Sequence, residues 1–172
     1  IYECILALIG RLFFPVGKYD KYAVCLFVYG ESYTGKSTLI NIIKKMFASN
    51  AIGIINSIFE KQFGLSGVHG KELFLIPDMP HNMKDIFDPT IIQNMIDGDH
   101  VNLSIKHLTS TGSTKIETPM IAAGNVFPDF DDKKGAIPRR FPIVLYDNYI
   151  EKRDSTIEKV IVENEIGELI LK

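Results

Sequence analysis

The feature that most constrains this chain is the run Gly30-Glu-Ser-Tyr-Thr-Gly35-Lys36-Ser37-Thr38, a full match to the phosphate-loop pattern GxxxxGK[ST]. It lies between two different hydrophobic periods. Residues 23–29, Ala-Val-Cys-Leu-Phe-Val-Tyr, are a continuous apolar run rich in β-branched and aromatic side chains, which reads as a strand covered on both faces. Beyond the loop, Leu39, Ile40, Ile42, Ile43, Met46 and Phe47 follow helical spacing. Strand, glycine loop and helix in that order serve one purpose. The glycines let backbone N–H groups converge on a concavity, and the helix presents its positive end to an anion. Gly30, Glu31, Ser32, Tyr33, Thr34, Gly35, Lys36, Ser37 and Thr38 are therefore the candidate nucleotide-binding residues. Lys36 is suited to the β- and γ-phosphates and the Ser37 hydroxyl to Mg²⁺, which makes ATP with Mg²⁺ the expected ligand.

Further strands read from the pattern are residues 52–55 and 72–76, the latter stopped by Pro77. Asp88-Pro89 is an N-cap followed by a first-turn proline, opening a helix that carries Ile91, Ile92, Met95 and Ile96. From Val101 the period changes to two: Val101, Leu103 and Ile105 alternate with Asn102, Ser104 and Lys106, a half-buried strand. Residues 109–113 supply turn chemistry for a hairpin, with Lys106 and His107 where it turns, opposite Lys115. Residues 119–123 and 142–146 read as two further buried strands, and the polar, charged, Gly/Pro-containing stretch 124–141 between them as a long loop. Residues 1–10 read as a helix end, 11–22 as a loop and 155–172 as helix. The organisation is thus a preceding segment over 1–22, an ATPase-like domain over 23–150 and a C-terminal helix over 151–172.

Phosphoryl chemistry needs an acid near the loop to position Mg²⁺ and the attacking water. Leu73-Phe-Leu-Ile-Pro77-Asp78 supplies one at a strand end, so Ser37 and Asp78 are the candidate metal ligands. Asn125 ends another apolar strand with an amide suited to the γ-phosphate or the attacking water. Lys133, Lys134, Arg139 and Arg140 follow, the two arginines just before the last strand. Guanidinium is the group of choice for phosphate charge in a transition state. The candidate catalytic set is therefore Lys36, Asp78, Asn125 and Arg140.

Composition narrows the class. Hydrophobic residues at 46% and charged residues at 23% exclude a disordered or collagen-like chain. A formal net charge of −2 excludes a strong whole-domain attraction to nucleic acid, so contact with it must come from a local feature such as Lys106 and His107. Cys4 and Cys25, without CxxC or Cys/His spacing, exclude a disulfide framework and a structural zinc site, and fit a reducing intracellular setting. His69, His81 and His100 have no metal-ligand spacing. No apolar run approaches a membrane span. The opening at Ile1 without Met reads as part of a longer polypeptide.

The ordered set of phosphate loop, strand-end acid, Asp97-Gly-Asp99-His-Val101 through Lys106-His107, strand-end Asn125 and then arginine resembles the superfamily-3 helicases of DNA viruses, phages and plasmids. Asp97 to His107 is similar to the hairpin segment of papillomavirus and parvovirus helicases, and Pro119 to Pro128 to their sensor-1 motif. Residues 63–71 are more like the primase-helicases of large DNA viruses. The resemblance covers residues 23–147. It implies an α/β, AAA+-like P-loop fold with a central, mostly parallel sheet flanked by helices and a projecting β-hairpin. It also implies an ATP hydrolase that unwinds duplex DNA during viral genome replication inside a host cell, in nucleus or cytoplasm. In that family Lys106 and His107 would grip single-stranded or forked DNA within a hexameric ring. Asn125 would be sensor 1, and Arg140, or as the second choice Arg139, would complete the neighbouring subunit's site. A fused or associated primase is a further implied partner. One departure stands out: Pro77 occupies the place where the family usually carries the first of two acids. Two other readings share the phosphate loop, namely a nucleotide kinase and an assembly or DNA-packaging module with weak hydrolysis.

Overall fold

A computed structural model describes residues 2–56, 70–82, 88–102, 113–130 and 135–171. Five parallel strands form the central sheet: β1 (Cys25–Gly30), β2 (Ile52–Ile54), β3 (Leu73–Ile76), β6 (Met120–Gly124) and β7 (Ile143–Tyr146), in the order β2-β3-β6-β1-β7. The fold expected from the sequence, an α/β P-loop architecture with a central parallel sheet flanked by helices, is the fold observed. The helices are α1 (Tyr2–Gly10), α2 (Lys36–Lys45), α3 (Pro89–Asp97), α4 (Ile157–Asn164) and α5 (Ile166–Leu171). No described helix is long and apolar enough to cross a membrane.

Alternation along the strands divides the core into two layers, as side chains of period two must. Cys25, Phe27, Phe74, Ile76, Met120 and Ala122 face one side, where Ile92, Met95 and Ile96 of α3 cover them. Leu26, Val28, Leu73, Leu75, Ile121 and Ala123 face the other, against Ile40 and Ile43 of α2 and Leu12. A parallel sheet needs both faces covered, which is why these strands are apolar throughout. The stretch 1–22 takes part in this packing through Leu12, and the Phe13 ring stacks on Phe47 at a centroid distance of 4.9 Å.

Helix α3 begins as the sequence suggests. The Asp88 carboxylate accepts the Thr90 amide at 2.8 Å, with Pro89 in the first turn, and Gly98 closes the helix in the left-handed conformation. The strands β4 (His100–Asn102) and β5 (Ser113–Lys115) pair antiparallel immediately afterwards.

Four expectations are corrected. The residue opposite Lys115 is His100, and Ser113 already belongs to β5 rather than to the turn. Lys106 and His107 themselves lie outside the described residues, as do Lys133 and Lys134. Strand β7 is not buried: it lies at the sheet edge beside β1, and Ile143 and Leu145 are about half exposed. An apolar run specifies a strand but not its place in the sheet. Stretch 124–141 is more than a polar loop, because Phe130, Ile137 and Phe141 are buried and residues Pro138–Arg140 form a 3₁₀ turn. Its phenylalanines pack on Phe27, Phe127 at 5.6 Å and Phe141 at 6.2 Å between centroids. Finally, the C-terminal helical stretch is two short helices, parted at Glu165.

Candidate nucleotide-binding site

The phosphate loop leaves the carboxyl end of β1, and its glycines have separate causes. A Cβ at Gly30 would lie 2.1 Å from the Tyr146 carbonyl oxygen, so the first glycine permits the close approach of β1 and β7. Gly35 has φ 97° and caps α2 with no side-chain hydrogen bond, so no side chain of the cap covers the start of the helix. Tyr33 also takes a positive φ, 65°, with its ring exposed. Within the loop, the Thr34 hydroxyl donates to the Glu31 carbonyl at 2.8 Å, and Lys36 Nζ donates to the same oxygen at 2.5 Å.

Asp78 follows the end of β3 and Asn125 the end of β6. Because β3, β6 and β1 are adjacent and parallel, both residues emerge at the same sheet edge as the loop. Crevices at the carboxyl ends of parallel strands are where open α/β sheets take ligands. A cavity of about 640 Å³ lies there, bordered by Lys36, Ser37, Asp78 and Asn125. That volume falls within the ordinary range for small-molecule sites. A second cavity, near Leu12, Val24 and Pro119 at the amino ends of β1 and β6, is about 70 Å³ and too small for a nucleotide.

Partial burial holds the Lys36 ammonium below the ordinary lysine pKa, and the nearby Asp78 carboxylate opposes that shift. Asp78 and Ser37 are exposed to the cavity. Among the described residues no three His, Cys, Asp or Glu side chains are grouped to hold a metal. A hydroxyl and one carboxylate nevertheless suit Mg²⁺, which keeps waters and substrate phosphates in its shell and needs no all-protein cage.

Arg140 does not border this cavity. Its Nε and Nη2 donate to the two carboxylate oxygens of Asp97, each at 2.6 Å, and its Nη1 donates to the Ala136 carbonyl. Arg139, beside it on the same turn, is exposed.

Sequence reasoning missed the wall formed after β7. Ile150 and Arg153 border the cavity, the Ile150 amide donates to the Tyr33 carbonyl at 2.9 Å, and Tyr149 lies 6.1 Å from the Tyr33 ring. The Asn41 amide donates to Glu158 at 3.1 Å, tying α2 to α4 and holding that segment beside the loop. No local motif marks these residues; only the pairing of β7 with β1 brings them there.

Solved structures similar to this chain include the NrS-1 C-terminal region and JCV helicase. The NrS-1 C-terminal region superposes with a TM-score of 0.63 at 17% identity, over 98% of this chain and 40% of that one. Another structure of that region, residues 305–718, gives 0.62 at 18% identity, over 98% and 41%. JCV helicase, from a polyomavirus and bound to a thiazolopyridine acetamide, gives 0.59 at 13% identity, over 99% and 53%. The chain thus spans about half or less of the length of these structures. At such identities the likeness is one of fold alone. No curated protein matches the sequence. The model of a family of unknown function, DUF5906, matches residues 28–140, more than half of the chain. This chain belongs to that family, DUF5906.

Proposed function

We propose that this domain binds and hydrolyses ATP with Mg²⁺ and uses the cycle to move on and unwind DNA. The observation that carries the reading is the meeting of Lys36, Ser37, Asp78 and Asn125 around one cavity at the carboxyl ends of three adjacent parallel strands. The loop amides and Lys36 hold the triphosphate, and Ser37 and Asp78 hold the metal. Mg²⁺, when bound, neutralises phosphate charge as the terminal bond breaks. Asp78 and Asn125 orient the attacking water toward the γ-phosphate.

A cation from a second subunit completes the site in this reading. With Arg140 engaged on Asp97, that role passes to the exposed Arg139. Lys106 and His107 contact single-stranded DNA, and a ring of six subunits, working in an infected cell beside a primase, is the assembly the reading implies. One observation favours a second reading, a nucleotide-dependent assembly or packaging module with weak hydrolysis: Pro77 borders the cavity where a second acid is missing.

Steady-state ATP turnover against protein concentration, with and without single-stranded DNA, separates the two. The helicase reading expects turnover that rises with both and falls by about 10³-fold or more in Arg139→Ala. Turnover that stays low and indifferent to DNA and concentration supports the assembly module instead.

A further inference from the structure

The Asp97–Arg140 pair joins two places that sequence keeps 43 residues apart. Asp97 is the last residue of α3, directly before the β4–β5 hairpin. The last turn of α3 meets the base of that hairpin through local bonds: the Asp99 amide donates to the Asn94 carbonyl at 2.9 Å, and the Ile116 amide to the Asp99 carbonyl at 3.1 Å. The Asn94 side-chain amide adds a bond to the His100 carbonyl at 3.3 Å. These bonds tie the end of α3 to the hairpin base.

At the other end, Arg140 belongs to the 3₁₀ turn that carries Arg139. Buried Ile137 and Phe141 anchor that turn on either side, and the Phe141 amide donates to the Pro138 carbonyl at 3.0 Å. The connection between the two places is a bidentate fork with both oxygens of Asp97 engaged, and the side chains are 13% and 23% exposed. A pair this enclosed and this directional holds geometry as an exposed lysine pair does not.

We propose that Arg140 is a positioning residue: through Asp97 it clamps the base of the β4–β5 hairpin to the arginine turn, so that the hairpin's position sets where Arg139 points. This rests on the ATPase reading above and deepens it, since it names the link by which DNA at the hairpin and ATP at a neighbouring subunit sense one another. Arg140 acts through Arg139 and touches no substrate.

The test measures kcat and KM for ATP in the assembled protein with saturating oligo(dT). It compares wild type, Asp97→Asn, Arg139→Ala, the Asp97→Asn/Arg139→Ala double variant and the exchange Asp97→Arg/Arg140→Asp. Asp97→Asn, which keeps the side chain's shape, is expected to lower kcat by about 10²-fold with KM little changed, the loss typical of a misplaced group. In the double variant the Asp97→Asn loss disappears into that of Arg139→Ala, as for residues acting as one unit. The exchange recovers most of the lost turnover. Wild-type kcat in Asp97→Asn overturns the coupling, and so do losses that multiply in the double variant. The double-variant comparison decides alone if the exchange fails to fold. Wild type without DNA-stimulated turnover overturns the coupling together with the reading beneath it, a different result from either of those.

Discussion

The Met79 amide donates to the Ala123 carbonyl at 2.7 Å, just after Asp78 and just before the turn that carries Asn125. The β3–β6 ladder, in which the Phe74 amide donates to the Pro119 carbonyl at 2.9 Å, thus reaches past Pro77 and keeps the two strand ends in register. Met79 is buried while Asp78 is exposed at the cavity. One backbone bond therefore sets the acid beside the amide and both beside the phosphate loop.

The field of Asp78 at Lys36 is measurable. Burial lowers the Lys36 pKa and the carboxylate opposes it, so Asp78→Asn is expected to lower the Lys36 midpoint further. An NMR titration of the lysine side chain reads this, and an unmoved midpoint contradicts the facing of the two groups. The sign for stability follows. With the folded value below the unfolded one, the unfolded chain binds more protons over the interval just under 10.5, so stability rises with pH there. Lys36→Met removes that part of the rise, which denaturant unfolding at a series of pH values detects.

Gly30→Ala tests the close approach of β1 and β7. Its Cβ would meet the Tyr146 carbonyl oxygen at 2.1 Å, and backbone cannot yield as a side-chain tip does. The expected loss is about 3 kcal/mol, at the upper end of overpacking costs. Chemical denaturation measures it, and a loss below about 0.5 kcal/mol contradicts the register of β7 on β1.

The cap of α3 gives a prediction in acid. The Thr90 amide and hydroxyl hold the Asp88 carboxyl below its ordinary value of 3.8. The stabilisation is present above that value and lost as pH falls through the lowered folded one. Asp88→Ala is expected to cost about 1 kcal/mol at neutral pH, and the difference from wild type closes on acidification. A difference that stays constant with pH contradicts the charged cap.

Much of this was legible from local chemistry. β1, the loop and α2 announce themselves because a buried strand, a glycine turn and an amphipathic helix have distinct periods. Lys36, Asp78 and Asn125 could be chosen because parallel strands end on one edge. What escaped was set by long-range partners. Ile150 and Arg153 reach the cavity only through β7. Arg140 looked like a free cation until Asp97 met it, and Phe130 and Phe141 were hidden in a stretch whose average is polar. The antiparallel register failed by a similar route: alternation shows which residues share a face, but not which residue of the partner strand lies opposite.

The central claim is that the cavity around Lys36, Asp78 and Asn125 is a nucleotide site, and calorimetric titration of wild type and Lys36→Ala with a non-hydrolysable ATP analogue and Mg²⁺ tests it most directly. The account predicts saturable binding of one nucleotide per chain in wild type and a loss of affinity of about tenfold or more in the variant, as expected when a charge-assisted phosphate contact is removed. Equal binding by the two proteins, or no binding by wild type, would contradict it.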